Sequence, residues 1–91
     1  MKNSFDLTGM RAIVAGAAGG LSLGMAEGLH EFGAELVIID VKDEGAQTAS
    51  RLGENSAPVH FVKADLSSRA DLEAAFEKAM AFLEGRVDIL V

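Results

Sequence analysis

The chain has 91 residues, 49% of them hydrophobic, with no cysteine and a formal charge of −6. That length and content describe one small domain with a compact core, though a core this small is marginal without a ligand or partner. The negative charge argues against nucleic acid, whose binding rests on Lys and Arg neutralising phosphates, and equally against anionic membranes; the lack of cysteine excludes disulfides and thiolate metal sites.

The opening "MKNSFDLTGMR" carries no long apolar segment after Lys2, so no signal peptide is expected and the cytoplasm is the default location. The longest uncharged run, 12–26, is too short and too glycine-rich for a membrane span. "RAIVAG" at 11–16 reads as a buried strand ending in glycine. In "GLSLGMAEGLHEF" at 20–32, Leu21, Met25, Leu29 and Phe32 fall at helical spacing, and Gly33 closes the helix. Gly24 and Gly28 each cost that helix about 1 kcal/mol against Ala, and the expected return is a flat face that lets helix and sheet approach closely. "AELVIID" at 34–40 is a second apolar strand, and "KDEGAQTASRLGE" at 42–54 a polar helix with a weak stripe through Ala46, Ala49 and Leu52.

"PVHFVKA" at 58–64 reads as a third strand, with Pro58 tolerated at its start. "SSRADLEAAFEKAMAFLEG" at 67–85 gives the clearest helix signal. Ser68 with Asp71 resembles a capping box, Leu72, Phe76, Ala79 and Leu83 form the expected buried stripe, and Gly85 suits the C-terminal cap. "RVDILV" at 86–91 is a fourth strand. The order βαβαβαβ implies α/β architecture, a Rossmann-type parallel sheet that is half of a doubly wound fold, with about four strands in the order 3-2-1-4. Right-handed crossovers put the first two helices on one face and the third on the other. A receiver-like or flavodoxin-like sheet shares the element order, but a receiver needs an acidic pair where Ala15 and Gly16 stand.

Residues 15–24, "AGAAGGLSLG", join the first strand to the first helix with four glycines. Free helical N–H groups and the helix dipole favour an anion at such a turn, and glycine lets a pyrophosphate approach the backbone. Neither G-x-G-x-x-G nor the phosphate loop G-x-x-x-x-G-K-[ST] is present, since Met25 stands in the lysine position. The looser G-x-x-x-G-x-G fits with Gly16, Gly20 and Ser22 in the third slot. Small residues at such a turn can also serve packing alone. Asp40 ends the second strand, where a carboxylate can accept hydrogen bonds from both hydroxyls of an adenosine ribose and repel a 2′-phosphate, favouring NAD over NADP. Lys42 nearby can soften that preference. Asp65, after the third strand, adds a second acid at the carboxyl edge of the sheet.

Together these segments resemble the N-terminal, NAD-binding portion of the short-chain dehydrogenase/reductase family. "FDLTGMRAIVAGAAGGLS" resembles its first strand and T-G-x-x-x-G-x-G loop, "VIID" its NAD-selecting acid, "ADLS" its adenine-binding aspartate segment, and "VDILV" the strand before its N-N-A-G motif. The resemblance covers essentially all of the chain. It implies that Gly16, Gly20, Leu21 and Ser22 line the pyrophosphate, that Asp40 and Val41 hold the adenosine ribose, and that Asp65 faces the adenine amino group beside Leu66. Ala15 replaces the family's usual Thr, and Ser22 its last Gly.

The family's hydride transfer needs the Tyr and Lys of Y-x-x-x-K, and this sequence contains no Tyr. It ends at Val91, before N-N-A-G would begin, so the resemblance implies a portion truncated ahead of the catalytic motifs, able to bind the adenosine end of NAD and to transfer no hydride. His30 and His60 read as packing or surface residues, Glu73, Glu77 and Glu84 as solvated faces, and no metal site is expected. One helix cannot cover its whole face of a four-stranded sheet, and the fourth strand is an open apolar edge. A homo-oligomer through strand four or the under-covered face is therefore expected. The alternative is a non-catalytic, self-associating module with a vestigial loop. A methyltransferase-like domain shares the two acids but needs a G-x-G-x-G that is missing here.

Overall fold

The computed structural model describes residues 6–16, 20–55 and 57–91. Arg11–Ala15 forms β1, Glu35–Asp40 β2, Val59–Lys63 β3 and Ile89–Leu90 β4. They make one parallel sheet in the expected order β3-β2-β1-β4. β1 lies between two neighbours: Ala12 pairs with Leu36 on one side and Ile89 on the other. The apolar run Leu36–Ile39 is at most 2% exposed, as a parallel strand covered on both faces requires.

The helices are α1, Gly20–Glu31; α2, Glu44–Leu52, which tightens into a 3-10 turn over Gly53–Asn55; and α3, Arg69–Phe82. Alternate strand residues divide between two cores. Ala12, Val14, Leu36 and Ile38 meet Ala26 of α1 and Ala49 of α2, with Leu29, Leu52 and Phe61 packed alongside. Ile13, Val37, Ile39 and Val62 meet Ala75, Ala79 and Leu83 beneath α3. The first two helices thus cover one face and the third the other, as right-handed crossovers dictate. Each fully buried Leu, Ile or Val contributes about 1.5–3 kcal/mol to this arrangement.

Each helix buries only part of its expected apolar stripe: Leu29, Ala49, Leu52, Ala79 and Leu83 face the core, and the rest do not. Leu21 and Met25 are 82% and 42% exposed, while Ala26 and His30 are the buried residues of α1. In α2 the buried positions are Gly45, Thr48 and Ala49, with Ala46 exposed. In α3, Ala75, Ala79 and Leu83 are buried, but Leu72 and Phe76 stay about two-fifths exposed. The common reason is that alanine and glycine face the sheet, letting each helix lie close, while larger apolar side chains flank the contact. Gly24 and Gly28 do not supply that closeness, because a Cβ at either meets no atom within 4 Å. Gly45 does: a Cβ there would collide with the Phe61 ring, standing 2.8 Å from Cδ1.

The ends of α3 also differ in detail. Ser68 Oγ accepts the Asp71 N–H at 3.3 Å as expected, but the Asp71 carboxylate accepts from the Asp65 N–H at 3.1 Å, tying the helix start to the end of β3. At the other end the N–H of Gly85 returns to Met80 O and that of Glu84 to Ala81 O. Gly85, with φ +81°, takes the left-handed position expected of it, and Glu84, with φ +55°, shares that conformation one residue earlier. Arg11 supports the turn by donating to Leu83 O at 2.5 Å and pairing with Glu84.

β4, Ile89–Leu90, is shorter than the expected 86–91, although backbone bonds to β1 run from the Asp88 N–H to Arg11 O and from the Val91 N–H to Ile13 O. Asp88 accepts the Arg11 N–H at 2.9 Å, and Arg86 donates to Gly9 O. Nearby, Glu35 bridges Arg11 and His60, and the His60 ring stacks on Phe82 at 4.4 Å. His30 packs in the interior with Nε2 2.9 Å from Ala57 O. Both histidines are therefore structural. Leu72, Phe76 and Leu90 border an open groove of about 530 Å³ beside β4, with Glu73 and Glu77 on its rim.

Candidate dinucleotide site

The carboxyl ends of β1, β2 and β3 bring together the described residues singled out from the sequence, apart from the central loop. Ala17, Ala18 and Gly19 lie outside the described residues. Gly16 leaves β1 with φ +72° and donates its N–H to Ile39 O at 2.7 Å, so the turn is tied to β2. Gly20 opens α1 with φ +69°. Both conformations disfavour a side chain. Ser22 stands within the first turn of α1 and is absent from the left-handed region, so its side chain brings no backbone strain. A Cβ built on Gly16 would come 3.9 Å from Ser22 Oγ, which places that hydroxyl beside the turn. Leu21 projects outward, largely exposed.

Asp40 is only 7% exposed at the end of β2. Its Oδ1 accepts the Lys42 N–H at 3.0 Å, and its carbonyl accepts the Ala64 N–H at 2.9 Å. The carboxylate is thus fixed by the turn that follows it. Val41 is exposed next to it. Asp65 lies on the surface after β3. Its Oδ1 accepts the Ser67 hydroxyl at 2.6 Å and the Ser67 N–H at 2.9 Å. These two bonds, the hydroxyl first, hold its carboxyl below the ordinary carboxylate value. Leu66 is exposed beside it. Two charged residues not singled out in the sequence join the edge: Lys63, the register partner of Asp40, and Asp43, which pairs with Lys63 at 2.8 Å. Only strand register could have revealed them. No metal-binding group of His, Cys, Asp or Glu occurs among the described residues.

The arrangement can receive a dinucleotide. The first N–H groups of α1 have no partner within the helix, as at any helix start, and suit a pyrophosphate, and an acid stands at each of the next two strand ends along the edge where open α/β sheets take ligands.

A parallel sheet of this order with a glycine turn and a buried acid after the second strand defines the dinucleotide-binding class of α/β proteins. The family profile described as short chain dehydrogenase matches residues 10–91, and the chain belongs to that family. Oxidoreductase UcpA of Salmonella typhimurium is 39% identical over 85 residues, which is 93% of this chain and 32% of that protein. The chain therefore spans about a third of the length of such relatives. Among solved structures, a short chain dehydrogenase/reductase of Burkholderia phymatum in complex with NAD superposes with a TM-score of 0.85 at 30% identity, over 93% of this chain and 30% of that one. The RhlG/NADP active-site complex of Pseudomonas aeruginosa gives 0.85 at 35% identity, over 99% and 35%. A nicotinamide dinucleotide is thus the cofactor type of this family's neighbours, with both NAD and NADP represented. Among the described residues no helix is long and apolar enough to cross a membrane.

Proposed function

We propose that this chain holds the adenosine and pyrophosphate half of NAD, in the manner of the N-terminal part of a cytoplasmic short-chain oxidoreductase. The observation that carries the reading is Asp40, buried and fixed at the end of β2, on the same sheet edge as Gly16 and Gly20. Its carboxylate accepts from the ribose hydroxyls and repels a 2′-phosphate. Gly16, Gly20, Leu21 and Ser22 border the pyrophosphate, Val41 flanks the ribose, and Asp65 with Leu66 borders the adenine. The nicotinamide supplies hydride chemistry when the cofactor is bound, and no catalytic role is assigned to any residue of this chain.

Calorimetric titration tests the proposal. Saturable heat with NAD is expected from the wild-type chain, with loss of that heat in Asp40→Ala at an unfolding midpoint that shows the variant folded. No heat at millimolar NAD overturns it. One observation favours a second reading, a non-catalytic self-associating module: the groove bordered by Leu72, Phe76 and Leu90 beside the edge strand β4. Surfaces of this kind are usually covered, and a second copy of the chain is the proposed cover. A mass that rises with concentration in sedimentation, and falls to the monomer in Leu90→Lys, is the outcome this reading requires.

A further inference from the structure

A charged pair stands beside the ribose end of the proposed site. Asp40 and Lys63 are register partners on adjacent parallel strands, which run about 4.8 Å apart. Their side chains leave the sheet on one face, that of α1 and α2, because Ile38 and Phe61, two residues earlier on each strand, both pack there. The Lys63 ammonium donates to Asp43 Oδ1 at 2.8 Å. Asp43 occupies the N-cap of α2, yet its side chain caps no helical N–H; its carboxylate is turned to Lys63. Both side chains are largely exposed, at 56% and 83%. Exposed ion pairs are weak, so the ammonium can change partners readily.

NADP differs from NAD by a phosphate on the 2′-oxygen that Asp40 would bind. That phosphate arrives next to Asp40, on the face from which Lys63 projects. We infer that Asp43 and Lys63 set the cofactor preference together with Asp40: Lys63 is the cation that receives a 2′-phosphate, and Asp43 competes for it. The inference rests on the cofactor reading above. With Asp43 in place, the ammonium is engaged by its carboxylate and the phosphate meets two acids, Asp40 and Asp43. Without Asp43, the ammonium is released to the phosphate.

Dissociation constants for NAD and NADP, measured by calorimetry on the 91-residue chain, test this. Asp43→Ala and Asp43→Asn should tighten NADP roughly two- to fivefold, the scale of one exposed charge contact, while leaving NAD unchanged. Lys63→Met should weaken NADP alone, and the gain from Asp43→Asn should shrink in the Lys63→Met background to the part that comes from relieved repulsion. Added salt should shrink the gain. If NAD binds but removing Asp43 leaves the NADP-to-NAD ratio unchanged, or the gain is undiminished without Lys63, the inference is wrong and the cofactor reading stands. If wild type binds neither nucleotide, both fall.

Discussion

Beneath α1 and α2 the sheet meets Ala26, Ala49 and Gly45, with Leu29, Leu52 and Phe61 sealing the margins. Beneath α3 it meets Ala75, Ala79 and Leu83, while Leu72, Phe76 and Phe82 of the same helix remain two-fifths or more exposed. Both faces use small residues for close approach. They differ in what surrounds the contact: two helices flank each other on the first face, and a single helix stands alone on the second. The difference separates residues that hold this domain together from residues whose apolar surface is available to something else.

Truncations on the two faces should separate most clearly. Leu36→Ala, in the fully buried first core, should destabilise by about 2–5 kcal/mol, whereas Phe76→Ala on the second face should cost the monomer less than about 1 kcal/mol; equal losses in urea unfolding would erase the distinction. Adding one methyl sharpens it further. Gly45→Ala drives a Cβ into the Phe61 ring and should cost about 1–3 kcal/mol. By contrast Gly28→Ala, with open space around its Cβ, should raise stability by up to about 1 kcal/mol. A fall in melting temperature for Gly28→Ala would restore the close-packing role first expected of that residue.

The smallest effect concerns pH. The bonds from Ser67 lower the Asp65 pKa in the folded state, so their contribution is present above the ordinary carboxylate value and is lost as pH falls through the lowered one. Ser67→Ala should return the Asp65 titration toward the ordinary value by NMR. Any stability gap from wild type should appear only above that range and close in stronger acid.

Strand order, helix sides and the glycine turn were legible because they depend on patterns that survive local error. Four apolar runs alternating with helical stretches leave few right-handed topologies, and Asp40 could be placed because the end of "VIID" is unambiguous. The helix faces were not legible. Leu21 and Met25 lie one step around the helix from the arc that contains Ala26 and His30, and a pattern that weights large side chains selects the wrong arc when alanine makes the contact. Leu72 and Phe76 misled for the same reason. The extent of β4 was overestimated at its start, where Arg86 and Val87 lie outside the ladder, while backbone pairing with β1 does reach from Asp88 to Val91. Asp43 and Lys63 went unnoticed because their nearness arises across strands, 20 positions apart in the chain.

The central position of β1 also bears on the order in which the domain forms. Its pairing with β2 closes over one intervening helix, but its other side waits for β4, and the Arg11 N–H finds Asp88 only 77 residues later. Loop-closure entropy and the slowness of distant pairing make that contact a late one. During synthesis β1, β2 and β3 can assemble while β4 has yet to leave the ribosome, so the earliest strand to be made keeps one bare side longest. In that interval β1 offers an incoming strand from any other chain the same ladder that β4 later occupies.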